Sequence, residues 1–469
     1  MGQTIIEKLW DEHSVADLGD GSHLLYIDRV MFHERTGSIA LQGLKASDRK
    51  VRNPEQVFGC MDHIVDTIPG RTDATMVPGG TAFITQTRAA AIAAGVNLFD
   101  LGDARQGIVH VVSPEQGIAV PGVTLVCPDS HTCTQGALGA LAWGIGSTET
   151  EHAMATKTLV TRRPKLMRVS FEGRPGTGVT AKDLILNLIG AYTASGGVGY
   201  AVEFAGRAVR ALPMEARFTL CNMAVEFGAW TGIIAPDDTT YEYSQGRPFA
   251  PRDRLWEQAL AHWRTLPTDA EAAFDEEIVL DCDEIVPQVT WGTSPQHETG
   301  IDGVVPDPAG ERDANRRESM VRALGYMDLE PGTPLEGIPI DSAFIGSCTN
   351  SRLSDLRNAA AILKGRRVAD GIRAICVPGS GQVKRDAEAE GLDRIFTDAG
   401  FEWREAGCSM CFFAGGENLG MDKRAVSSTN RNFENRQGPR TRTHLASPTT
   451  VAASAVAGNL ADVRKLELL

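Results

Sequence analysis

Short β-branched runs alternate with alanine-rich stretches along this chain, and that alternation restricts the fold more than any other feature. Residues 24–27 (LLYI), 107–112 (GIVHVV) and 123–127 (VTLVC) read as buried strands. Residues 85–94 and 148–160 read as helices, the second with Glu149 and Glu151 near its start, where the helix dipole favours anions. The pattern resumes with strands at 165–171, 338–346 and 373–378, and helices at 181–194, 355–363 and 383–390. Such strand–loop–helix repetition specifies a layered α/β protein. A chain of 469 residues exceeds one ordinary core. Breaks near Arg163–Pro164 and in the polar stretch 295–317 suggest three α/β domains, residues 1–163, 164–295 and 296–469.

The formal net charge of −14 disfavours nucleic acid or an anionic membrane as partner, since either needs a basic face. A few convergent arginines can still bind a small anion. No apolar run approaches a membrane span. The opening MGQTIIEKLWDEHS lacks the apolar core and cleavage site of a secretory signal, and Ile6 stands where a myristoylation start needs Ser or Thr. Nine scattered cysteines, an odd number, fit a reducing compartment rather than a disulfide framework, so a cytoplasmic location is expected. The stretch PGSGQVK at 378–384 lacks both the third glycine of a dinucleotide fingerprint and the GK[ST] of a P-loop. It reads as a turn capping a strand, and no nucleotide is expected.

Three cysteines stand apart: Cys348 in GSCTNSR, and Cys408 with Cys411 in AGCSMCFF. Iron–sulfur clusters are normally held by four thiolates. Three would leave one iron open to act as a Lewis acid, although a lone C-x-x-C equally suits a redox pair or half a zinc site. Four further segments carry acid–base chemistry. MDHIV sets Asp62 beside His63, GIVHVV sets His110 at or near a strand end, and PDSHTCTQG sets Asp129 two residues from His131. CNMAVEFG sets Asn222 and Glu226 four apart, on one face if the segment is helical. A carboxylate beside an imidazole fixes its tautomer and stabilises imidazolium, which suits proton transfer. Each of these alone is also ordinary structure. STNRNFENRQGPRTRTH gathers Arg431, Arg436, Arg440 and Arg442 among Asn430, Asn432 and Asn435. It is either a surface basic loop or a clamp for carboxylates, which Arg binds bidentately.

Read in order, the segments EKLWDEH, LLYIDR, MDH, GIVHVVSPEQG, DSHT, CNM-x-x-E, EYSQGRPFAP, VTWGTSP, GSCTNSR, VPGSG, FEWREAGCSMC, NRNFENRQG and RTHLASP resemble the aconitase superfamily, and within it the large subunits of 3-isopropylmalate dehydratase. The resemblance runs nearly end to end. It implies three aconitase-like α/β domains around a central iron–sulfur cluster site, without the fourth, swivel domain of single-chain relatives. It also implies a 4Fe-4S cluster on Cys348, Cys408 and Cys411, whose unligated iron binds the substrate hydroxyl and a carboxylate. Asp62 and His63 match the pair that handles the hydroxyl. His110 with Asp129, and His131 with Glu226, match two further pairs that orient water and substrate. Asn222 and Asn430 match supporting polar residues, and Arg431 and Arg436 match the substrate-carboxylate site. A separate small subunit is expected to supply the swivel domain and a serine base. The implied activity is that of a hydro-lyase in leucine biosynthesis, which moves a hydroxyl between adjacent carbons of isopropylmalate through an alkene. Phe227, Trp230, Asn435, Cys133 and Gln135 depart from the usual pattern. Bulky aromatics near a pocket would alter which substituent fits, leaving methylmalate, dimethylmalate or maleate as competing substrates. A cluster-free RNA-binding relative is a further reading, against which the net charge weighs.

Overall fold

The computed structural model describes residues 2–466, which divide into two units. One comprises the chain up to Val65, Gly79–Gly173 and Gly197–Leu280; the other comprises Asp66–Pro78, Arg174–Gly196 and the chain from Asp281.

The first unit is built on five parallel strands in the order Asn97–Phe99, Val57–Cys60, Arg29–His33, Thr124–Cys127 and Leu141–Gly144. The chain enters at the central strand Arg29–His33, steps out to one edge, then crosses back to fill the other side. Every residue of Val57–Cys60 and Thr124–Cys127 is buried, which is why these strands read as unbroken apolar runs. Phe32, Val57, Val126 and Leu141 share one core with Ile5, Leu9 and Trp10 of the helix Ile5–His13. That helix begins with a capping box between Thr4 and Glu7. A three-stranded antiparallel sheet (Ser14–Gly19, Ser22–Tyr26, Thr158–Arg162) and a four-stranded sheet containing Lys165–Glu172 and Tyr200–Ala205 complete the unit's sheets.

Three local expectations are corrected. GIVHVV is not a strand, because Val109–Glu115 is a helix whose residues 109–114 are all buried. The Val109 amide donates to Asp62 Oδ2 at 2.8 Å, and this anion at the helix start, with burial all round, outweighs the β preference of Val and Ile. The helix Met214–Asn222 stops at Asn222 and the chain turns through 223–228, so Asn222 and Glu226 do not share a helical face. The helix expected over 148–160 ends at Thr156, where Lys157 takes left-handed backbone and the strand Thr158–Arg162 begins.

The second unit repeats the first sheet's order. Its parallel strands run Phe401–Trp403, Arg373–Cys376, Ser342–Ile345, Arg424–Ser427 and Arg442–Leu445. In both sheets the strand order reverses beside the strand that enters first. In open α/β sheets, ligands bind at the carboxyl ends of the strands at such a reversal. Among the described residues, no helix is long and apolar enough to cross a membrane.

Candidate active site

At the reversal in the first unit, three neighbouring strands end in ionisable residues. Arg29–His33 delivers His33 and then Glu34; Val57–Cys60 is followed by Asp62 and His63; Thr124–Cys127 is followed by Asp129 and His131. Asp129 is the hub. Its Oδ1 lies 2.7 Å from His110 Nε2 and accepts from the His131 amide at 2.8 Å, while Oδ2 lies 3.4 Å from His63 Nε2. Burial disfavours its charge, yet His110, His131 and His63 together hold its carboxyl well below the usual carboxylate range. His63 Nδ1 lies 2.7 Å from Asp62 Oδ1, and His131 Nε2 lies 2.9 Å from Glu226 Oε1. Asp62 is fully buried. Burial opposes its charge, but His63 and His33 lower its carboxyl below the ordinary value.

The 3₁₀ segment Ser130–Leu138 carries His131 and fits closely against a neighbouring strand. A Cβ on Gly136 would stand 1.8 Å from the Gly232 carbonyl oxygen, so only glycine fits there. Asn222 Nδ2 donates to Thr134 Oγ1 at 2.8 Å, tying the end of its helix to this segment. Phe227 and Trp230, expected to shape a substrate pocket, are packing residues instead. Phe227 is fully buried, and Trp230 lies 5.0 Å from the Trp143 ring and 6.2 Å from Trp10. Cys133 and Gln135 are buried in the same 3₁₀ segment.

Two members of this network, His33 and Glu34, lie outside the motifs that point to chemistry in the sequence. His33 stacks on His63 with ring centroids 4.0 Å apart, and burial together with His63 pushes its imidazole down to about 3. Glu34 is fully buried and accepts amide hydrogen bonds from Asp62 at 3.0 Å, Ile64 at 2.5 Å and Val65 at 3.3 Å. Burial and the neighbouring Asp62 push its carboxyl up to about 7. Ligand atoms of His33, Glu34, Asp62 and His63 lie within 4.8 Å of one another. Glu34 is engaged by the three amides and Asp62 by the Val109 amide and His63, whereas His33 Nε2 lies 3.3 Å from the Pro128 carbonyl and its Nδ1 is buried without a hydrogen-bond partner among the described residues. The one available clue was a polar HE pair directly after the apolar run VMF.

The second unit gathers the thiols at its own reversal. Ser342–Ile345 leads into Gly346, Ser347 and Cys348, and Arg424–Ser427 leads into Asn430 and Arg431. Gly346 N and the Ser428 hydroxyl join the two loops at 3.1 Å. The C-x-x-C arrives differently. Met410 packs into the core with Phe344, Ile375 and Val377, which pins the short turn Ser409–Cys411 against the sheet. Cys348, Cys408 and Cys411 are all buried. Asn430 contacts two of them, its Nδ2 donating to Cys348 Sγ at 3.6 Å and its Oδ1 lying 3.9 Å from Cys411 Sγ. Arg436 Nη2 donates to Cys411 Sγ at 3.6 Å, and Ser347 Oγ lies 3.2 Å from the same sulfur. Ser347 adopts a positive φ of 79°, costly for a residue with a side chain and typical of functional turns. Arg436 also lies between two rings, 5.7 Å from Phe412 and 5.1 Å from Phe433. Arg431 is half-buried. Arg442 belongs to the strand Arg442–Leu445, and Arg440 pairs with Asp422 at the surface. Three buried cysteines, with two N–H donors and a hydroxyl set against their sulfurs, form a donor set that suits a metal–sulfur group.

A model of the aconitase family (aconitate hydratase) matches residues 7–458. The chain belongs to the aconitase family. Membership implies a 4Fe-4S cluster, and the three buried thiols fit one. The chain is 54% identical over 466 residues to the 3-isopropylmalate dehydratase large subunit 1 of Bradyrhizobium diazoefficiens, covering 99% of this chain and 97% of that protein. Among solved structures, it is similar to the holo form of Thermococcus kodakaraensis aconitase X. That match has 12% identity and a TM-score of 0.45, over 91% of this chain and 89% of the other. The parallel sheets and flanking helices of this aconitase-family chain are those of an α/β protein, as the strand–helix alternation of its sequence predicts.

Proposed function

We propose that this chain is the large subunit of a 3-isopropylmalate dehydratase, a hydro-lyase of leucine biosynthesis that interconverts 2- and 3-isopropylmalate by removing and re-adding water. The observation that carries the reading is the 54% identity to a protein of that name over nearly the whole length of both chains. The departures that pointed toward another malate have local explanations. Phe227 and Trp230 fill the core, and Asn435 satisfies a backbone requirement at φ 64°.

Cys348, Cys408 and Cys411 would hold the cluster, leaving one iron without a protein ligand. Bound there, the cluster supplies a Lewis acid for the substrate hydroxyl. His63, held by Asp62 at 2.7 Å, passes a proton to the departing hydroxyl and recovers it on return. The His110–Asp129 and His131–Glu226 pairs orient water and substrate. Asn430 positions the Cys348 and Cys411 sulfurs, and Asn222 supports the segment bearing His131. Arg431 and Arg436 bind the substrate carboxylates, a role for which a planar guanidinium suits better than an ammonium. A small subunit supplies the swivel domain and the serine that removes the proton alpha to a carboxylate. The reaction takes place in the cytoplasm.

We also assign residues 1–163, 164–295 and 296–469 to three aconitase-like domains. Each segment contains one main sheet of its own, although residues 174–196 and 281–295 belong to the second unit and the pair Gln288–Thr290 and Glu298–Gly300 crosses the last boundary.

The test is anaerobic reconstitution together with the small subunit, followed by iron and sulfide analysis and by the ultraviolet absorbance of the alkene formed. The expected result is a brown protein that dehydrates 3-isopropylmalate. A colourless protein without iron, or a kcat/KM higher for methylmalate or dimethylmalate than for isopropylmalate, would overturn the reading.

A further inference from the structure

Residues 66–78 have no counterpart among the motifs that carry the chemistry, yet they lie against the loop that bears two of the three thiols. The segment folds on itself through Asp66, whose Oδ1 accepts from Thr75 Oγ1 at 3.0 Å and from the Met76 amide at 3.1 Å. Closed in this way, it is a compact Ω-type loop of the kind packed by its own side chains.

From that loop, contacts reach both sides of the C-x-x-C. On the entering side, the Glu405 amide donates to the Thr67 carbonyl at 2.8 Å. Arg71 Nη1 donates to the Ala406 carbonyl at 2.6 Å and to the Asp66 carbonyl at 3.1 Å. The Thr67 hydroxyl, 2% exposed, donates to Ser409 Oγ at 2.9 Å, between the two cysteines. Ser409 sits at a positive φ of 49°, a conformation that a serine keeps only when its surroundings enforce it. On the leaving side, Gly415 and Gly416 lie against Pro78 and Val77. A Cβ on Gly415 would stand 3.2 Å from Pro78, and one on Gly416 would stand 3.1 Å from Val77 Cγ2.

We propose that residues 66–78 form a clasp that sets the C-x-x-C turn before metal arrives, with Thr67 and Arg71 as its positioning residues. Met410 anchors the turn from the sheet side, and the clasp fixes it from the other. Thr67 and Arg71 act through Ser409 and the Ala406 carbonyl, fixing where Cys408 and Cys411 point. The inference rests on the reading of these cysteines as cluster ligands.

The experiment uses full-length, metal-free, reduced protein. The alkylation rate of each cysteine by iodoacetamide is followed by peptide mass mapping in wild type, Thr67→Val, Thr67→Ser and Arg71→Met. Thr67→Val and Arg71→Met are expected to raise the rates at Cys408 and Cys411 about tenfold, as a local opening would, while leaving Cys348 unchanged. Thr67→Ser restores the hydroxyl and is expected to return the wild-type rates. Unchanged rates at Cys408 and Cys411 in Thr67→Val would overturn the clasp, as would equal rates in the Val and Ser variants. A parallel rise at Cys348 in both Thr67→Val and Arg71→Met also refutes it, because the effect would then be general loosening. Failure of the cluster reading shows separately, as wild-type protein that takes up no iron.

Discussion

Asn435 stands in left-handed backbone at φ 64°, and its side-chain Oδ1 accepts a hydrogen bond from the Arg440 amide at 2.7 Å. Asn is the side chain that tolerates this region best after glycine, because its short amide can bond to nearby backbone. Asn435→Gly should therefore change thermal stability by less than about 0.5 kcal/mol, since backbone freedom and a lost local bond are both small terms. Asn435→Val should cost about 1–2 kcal/mol, because a β-branched residue is strained at positive φ. Differential scanning calorimetry of the three proteins checks both, and substrate preference should be the same in all of them.

Asp129 joins three of the histidines, which makes it the residue whose charge the network can least spare. Asp129→Asn keeps the shape but removes the anion that stabilises imidazolium, and an amide cannot serve every donor that now meets the carboxylate. The expected loss in kcat is about 10²–10⁴-fold, the usual range for a general acid–base element. Iron content should match wild type, because the substitution lies outside the thiol set. Loss of iron along with activity would contradict a purely acid–base role.

Arg436 makes a different prediction. Its guanidinium lies between the rings of Phe412 and Phe433 and donates to Cys411 Sγ, an arrangement that an ammonium does not reproduce. Arg436→Lys should raise KM about 10–100-fold, equivalent to about 1.4–2.8 kcal/mol, with the visible absorbance of the cluster retained. Steady-state kinetics with absorbance spectra of the same preparation decide it.

Much of the site was legible because its residues follow strands directly. Asp129 after VTLVC and Cys348 after the strand that ends at Ile345 stand at strand ends, where an α/β sheet presents chemistry. What remained hidden had tertiary causes. The shared strand order of the two sheets leaves no repeat in the sequence, because order is a property of pairing rather than of residue type. GIVHVV misleads because its helix is stabilised by burial and by Asp62, a partner 47 positions away. Glu34 gives only the HE pair after VMF as a signal, because its importance lies in three amides of another loop. Thr67 and Ser409 are 342 residues apart and individually unremarkable.

His444 supplies a pH-dependent stability unrelated to catalysis. It is fully buried, with Nδ1 2.6 Å from the Thr290 carbonyl and Nε2 3.0 Å from Arg424 Nη1. Nδ1 must therefore carry the proton and Nε2 must accept, since a second proton would face the guanidinium. Burial first, and Arg424 second, push the imidazole down to about 3, against 6.5 for an ordinary histidine. The folded chain thus keeps His444 neutral while the unfolded chain takes up a proton below pH 6.5. Its stabilising contribution is complete above that pH and is lost progressively as pH falls toward 3. By pH 5 the loss should reach about 2 kcal/mol. His444→Asn removes the titration, so the stability gap between variant and wild type should narrow by about that amount between pH 7 and pH 5. Urea unfolding at the two pH values measures it, and a gap that stays constant would show that His444 titrates alike in both states.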